Sequence, residues 1–68
     1  MLSIIIPILN EEKNIEKLNA LIHLNLKNIK FEIIFVDDNS EDNSKNILKK
    51  ISKQFKNSNY IIRKKKKI

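Results

Sequence analysis

Apolar residues occur in two contrasting arrangements along the chain. At 2–6 and 31–36 they are nearly continuous, as Leu2-Ser3-Ile4-Ile5-Ile6 and Phe31-Glu32-Ile33-Ile34-Phe35-Val36. Short runs rich in β-branched and aromatic residues predict strands, and near-continuous apolar character predicts strands covered on both faces. Pro7 predicts the end of the first strand, since it cannot donate to a ladder. Between the runs the period changes. Ile15, Leu18, Leu21, Ile22 and Leu26 recur at helical spacing, which predicts a helix over 11–26 with Lys13, Lys17 and Asn19 on its outer face. Asn10 is the expected N-cap, and Glu11, Glu12 and Glu16 suit the positive end of the helix dipole. A second helix is predicted from a cap at Asp42 to about Phe55, with Ile47, Leu48, Ile51 and Phe55 on one face. Asn57-Ser58-Asn59 reads as a loop and Tyr60-Ile61-Ile62 as a short third strand.

The elements therefore alternate β-α-β-α-β, the pattern of an α/β protein with a parallel three-stranded, Rossmann-like half-sheet. Both long strands run into polar clusters. The first meets Asn10-Glu11-Glu12, and the second meets Asp37-Asp38 and then Asn39-Ser40-Glu41-Asp42-Asn43-Ser44, a segment dense in turn formers. In open α/β sheets ligands bind beyond the carboxyl ends of the strands. If the two strands are neighbours, the two clusters border one crevice.

Composition narrows the chemistry. The 68 residues have no cysteine, which excludes disulfides and thiolate metal sites, and His23 is the single histidine. No glycine is present, which excludes a Gly-rich phosphate loop within these residues. No apolar run is long enough to span a membrane, and the first run lacks the basic flank of a signal peptide, so the expected location is cytoplasmic. The formal charge is +6, but Arg63 and the four lysines at 64–67 supply five of it. Residues 1–63 are expected to be the folded part, and 64–68 a basic tail. That tail has no interleaved aromatic residue, so specific nucleic-acid recognition is not expected.

The paired acids allow several roles. Adjacent strand residues point to opposite faces, so Asp37 and Asp38 serve one ligand together only if the strand has already ended. One of them, Asp37 by preference, orders the following turn. Asp38 then accepts hydrogen bonds from a base N–H or a ribose hydroxyl. Two carboxylates without a further ligand set make a poor cation site. Asn10-Glu11-Glu12 reads equally as a helix cap with an acidic first turn. His23 has no partner at the spacing of a catalytic triad.

Two segments carry a family resemblance. Ser3-Ile4-Ile5-Ile6-Pro7-Ile8-Leu9-Asn10-Glu11-Glu12-Lys13-Asn14-Ile15 and Glu32-Ile33-Ile34-Phe35-Val36-Asp37-Asp38-Asn39-Ser40-Glu41-Asp42-Asn43-Ser44, in this order and spacing, resemble the start of a family 2 glycosyltransferase. The similarity is greatest to the dolichol- or polyprenyl-phosphate sugar transferases. It implies a GT-A fold whose Rossmann-like half binds a UDP- or GDP-linked sugar, with transfer to a polyprenyl-phosphate acceptor. By the resemblance Pro7, Leu9, Asn10 and Glu11 line the base and ribose pocket, and Asp38 contacts the nucleoside with Asp37 beside it. Arg63 matches a basic residue that commonly follows the third strand. Position 9 is often aromatic in the family, and Leu9 gives up base stacking.

The family's Asp-x-Asp, which holds Mg²⁺ or Mn²⁺ on the diphosphate, and its general base have no counterpart in these residues. The chain therefore reads as a truncated N-terminal portion, inactive alone and in need of a complementing downstream fragment. A full enzyme would be membrane-associated. By the family's topology the first strand is central, so truncation is expected to leave an apolar edge open and the monomer marginal or unfolded. Two other readings stand beside this one. The first is a stand-alone nucleotide-binding or partner-docking remnant. The second is a small basic protein that uses its lysine tail on RNA or a membrane surface.

Overall fold

A computed structural model describes residues 1–64 of the chain. Five elements follow in order: β1 (Leu2–Ile8), α1 (Ile15–Asn25), β2 (Phe31–Asp37), α2 (Ser44–Gln54) and β3 (Ser58–Ile62). The strands form one parallel sheet in the order β1-β2-β3, with Leu2 opposite Phe31 and Ile33 opposite Ser58. The expected α/β architecture is present. The expected tail lies outside the described residues apart from Lys64.

Side-chain alternation sets the layers. Phe31, Ile33, Phe35 and Asp37 of β2 are buried, whereas Glu32, Ile34 and Val36 are half-exposed. Ile8, Ile15, Phe31, Ile33, Phe35, Leu48 and Ile51 form one core, to which both helices contribute. Both helices therefore cover the same sheet face. Two crossovers of one hand, stepping in one direction along the sheet, produce this arrangement. It corrects the expectation of strands covered on both faces. Among the described residues the second face is open, and Ile5 there is 66% exposed.

Pro7 does not end β1; it pairs with Val36 within the strand. The Leu2 N–H donates to Lys30 O at 3.1 Å, and Ile8 O accepts from Asp38 N–H at 2.9 Å. Even positions therefore direct their backbone groups at β2. Odd positions, Pro7 included, direct theirs at the edge that no described strand occupies. A proline there removes no ladder bond. Among the described residues β1 is an edge strand, not a central one, as the open-edge expectation required. The first strand is thus longer than 2–6, and the third starts at Ser58, where a loop was expected.

The helix α1 is rotated from its expected setting. Asn19, placed on the outer face by period alone, is 1% exposed, and Leu21, placed inward, is 54% exposed. The inward face runs through Ile15, Asn19, Ile22, His23 and Leu26. Polar partners at the start of β3 and just before it explain this choice. Ser58 Oγ donates to Asn19 Oδ1 at 2.7 Å, and His23 Nε2 lies 2.8 Å from Asn57 Oδ1. The His23 ring also packs at 5.1 Å from Phe31 and 4.5 Å from Phe55, as a half-buried structural residue. Burying a polar pair is tolerable only while both members are satisfied. Asn19→Ala and Ser58→Ala are each expected to cost about 2 kcal/mol, and the double variant less than their sum by about 1 kcal/mol or more. Urea denaturation of the three variants measures this coupling.

Candidate functional site

The carboxyl ends of β1 and β2 meet, as neighbouring parallel strands must, and their loops are laced together. Asn10 is the centre of the lacing. Its Oδ1 accepts from Glu41 N–H at 2.8 Å and Asp42 N–H at 3.4 Å, and its own N–H donates to Ser40 Oγ at 2.9 Å. Glu11 N–H donates to Ser44 Oγ at 3.1 Å, and Glu12 N–H to Asp42 Oδ2 at 3.1 Å. Asn10 is therefore not the cap of α1, which begins only at Ile15. Its side chain is spent on the loop after β2, some thirty residues away in sequence.

Asp37 and Asp38 part company here. Asp37 is 0% exposed, and its carboxylate accepts Ser40 N–H at 2.9 Å and Ser40 Oγ–H at 2.5 Å. Ser40 in turn accepts from Asn10. Asp37 is thus the root of a chain of hydrogen bonds that fixes both loops, the turn-ordering role expected of it. The next residue turns the other way, and Asp38 lines an open cleft of about 320 Å³ together with Leu9, Asn10, Asn39 and Glu41. Three expected contact residues, Leu9, Asn10 and Asp38, therefore share one cleft. Pro7 and Glu11 border a separate groove of about 220 Å³ between β1 and α1, with Ile6, Ile8, Asn14, Ile15 and Leu18.

The sequence reading missed Asn39 and Glu41 as cleft residues, and Ser40 and Ser44 as the ties between loops. The signal for the first two was adjacency to Asp38 at a strand's carboxyl end. Asn39 also has a conformational task. It has φ 60°, and Asn10 has φ 52°. Left-handed backbone normally calls for glycine; asparagine is the next best tolerated residue, and the chain contains no glycine. Asn39→Ala is expected to be about 1 kcal/mol less stable than Asn39→Gly, because both lose the 2.6 Å bond from Lys45 Nζ but only alanine opposes the positive φ. Thermal denaturation of the pair checks it.

The N-cap of α2 is Asn43, which makes no side-chain cap bond, rather than the expected Asp42; Asp42, one residue earlier, still accepts the first helical N–H, from Ser44 to its Oδ1 at 2.9 Å. Partial desolvation opposes its ionisation. Hydrogen bonds from Ser44 and Glu12 outweigh that effect and hold its pKa below the ordinary 3.8. A depressed carboxyl contributes stability above its unfolded pKa and loses it as pH falls through the folded value. The loop lacing is therefore expected to loosen below pH 3.8, with Asp42→Asn flattening that acid limb.

Among the described residues no three His, Cys, Asp or Glu side chains cluster as a metal would need. Nor is any described helix long and apolar enough to cross a membrane.

The sequence profile of Glycosyl transferase family 2 matches residues 3–67, nearly the whole chain. The chain belongs to glycosyltransferase family 2. A similar protein is glycosyltransferase AglE of Haloferax volcanii, 38% identical over 61 residues. The match covers 88% of this chain and 20% of that protein, so this family 2 chain spans about a fifth of its relative's length.

Proposed function

We propose that the cleft beyond β1 and β2 holds the nucleoside part of a UDP- or GDP-linked sugar, the donor for glycosyl transfer. One observation carries this reading. The cleft presents two carboxylates, Asp38 and Glu41, and two amides, Asn10 and Asn39, beside the apolar Leu9, with no cation among its lining residues. Carboxylates accept from base N–H groups and ribose hydroxyls, and they repel phosphate. The nucleoside therefore enters the cleft, and the diphosphate points away from it. Family membership supports the donor class, and the name of the Haloferax volcanii relative supports glycosyl transfer.

In this reading Asp38 takes the donor hydrogen bonds, Leu9 packs on the base, and Asn10 closes the floor. Asp37 acts only through Ser40, holding the wall. Pro7 and Glu11 shape the approach from the neighbouring groove. These residues bind and orient; no bond-making step is assigned to them. The divalent cation that the family implies has no ligand set among the described residues, and no step is routed through it. Resemblance of the segments around Asn10 and Asp38 to polyprenyl-phosphate sugar transferases supports a polyprenyl-phosphate acceptor for the whole protein, acting at a membrane from the cytoplasmic side.

Calorimetric titration with uridine, guanosine, UDP and GDP, without divalent cation, tests the orientation. One nucleoside is expected to bind at least as tightly as its diphosphate, because the carboxylates of Asp38 and Glu41 repel phosphate and no lining residue is a cation. A diphosphate bound tenfold more tightly than its nucleoside would sink this reading.

A further inference from the structure

Charge is segregated along the chain more sharply than its total suggests. All eight Asp and Glu residues lie within residues 1–42, against four lysines there. Residues 43–68 hold ten cations and no acid. The fold gathers much of this division onto one helix. The acids Asp38, Glu41 and Asp42 gather at the loops beyond β1 and β2. Arg63 lies at that same end of the sheet, its N–H donating to Asp37 O at 2.7 Å, whereas five of the cations lie on α2 or just beyond it. On α2 the inward face is Ser44, Leu48 and Ile51, which leaves Lys49, Lys50 and Lys53 exposed, with Lys56 exposed just beyond the helix. Lys45 begins the same row, half-buried and bonded to Asn39. Lys45, Lys49 and Lys53 recur every four residues, so they stand in one line about 12 Å long. Lys50 alone of the exposed helix lysines has an acid within reach, Glu16 at 3.7 Å. Arg63 and Lys64 are exposed where β3 ends.

We propose that the outer face of α2 docks on an anionic lipid surface. Charge complementarity names the partner. The row carries no acid to moderate it, and its cations are all lysines, compact charges suited to a diffuse anionic plane rather than the forked guanidinium that grips a single phosphate. Nucleic acid is the less fitting polyanion. Single strands are held by aromatic stacking, and the nearest rings, Phe55 and Tyr60, pack against the core instead of facing outward.

The test is sedimentation of the 68-residue chain with vesicles of phosphatidylcholine alone, or with about one third phosphatidylglycerol, at low and high salt. Binding is expected only to the anionic vesicles and is expected to fall steeply with salt. Each lysine at such a surface is worth about fivefold. Lys49→Gln with Lys53→Gln should therefore weaken binding about 25-fold. The control is Lys13→Gln with Lys17→Gln, which removes the same charge from α1 and should change binding less than about threefold. Circular dichroism confirms that each variant keeps its helices. Equal loss in both doubles, as an unfolded chain or a mere net-charge effect would give, overturns the proposal. So does binding to neutral vesicles, a loss confined to replacement of the lysines at 64–67, or displacement from vesicles by stoichiometric polyuridylate.

Discussion

Asp37→Ala is expected to cost about 3 kcal/mol of folding stability, even if Asp37 never touches a ligand. The carboxylate is wholly buried and accepts both donors of Ser40. Removing it strands a backbone N–H and a hydroxyl, each costing about 1–3 kcal/mol when left unsatisfied. The damage spreads, because Ser40 Oγ also receives Asn10 N–H. Small domains hold only about 5–15 kcal/mol in total, so the loss is a large share. Asp37→Asn keeps one acceptor oxygen and should lose roughly half as much. Urea denaturation measures both; an Asp37→Ala midpoint within error of the parent would contradict the role assigned to this residue.

Asp38→Ala should show the opposite split. Asp38 lines the cleft rather than the core, so the expected stability change is about 1 kcal/mol or less, while nucleoside affinity falls about 10- to 100-fold. Hydrogen bonds to a charged acceptor are worth about 1.5–3 kcal/mol, which sets that range. Asp38→Asn should lose less than Asp38→Ala, because the amide keeps one acceptor oxygen but lacks the charge and presents donors on its other side. Titration calorimetry on the two variants reads the loss directly. A variant that binds like the parent would remove Asp38 from the site.

The parts of this fold that were legible in the sequence are those that depend on local pattern. The runs at Leu2 and Phe31 named the strands, helical spacing named both helices, and Asp37-Asp38 at a strand end placed the crevice. What sequence could not give depended on partners distant in the chain. Pro7 reads as a stop only if its nitrogen faces a neighbour; it faces an edge without a described strand, and the strand runs on to Ile8. Asn19 reads as a surface residue until Ser58 is seen beside it, thirty-nine residues later. Asn10 reads as a helix cap until Glu41 and Asp42 claim its side chain. The absence of glycine told of missing phosphate loops but hid a second consequence. Asn10 and Asn39 take the left-handed positions that glycine would otherwise fill, and these two positions frame the cleft.

The proposed reading has a nucleotide-sugar donor meet these residues by its nucleoside end. The amide spectrum of the isotopically labelled chain, titrated with UDP and GDP, tests that claim most directly. The account predicts saturable shifts confined to Leu9, Asn10, Asp38, Asn39 and Glu41, reproduced by the matching nucleoside without its phosphates and absent in Asp38→Ala. Shifts centred instead on the lysines of α2, or no shift at millimolar ligand, would contradict it.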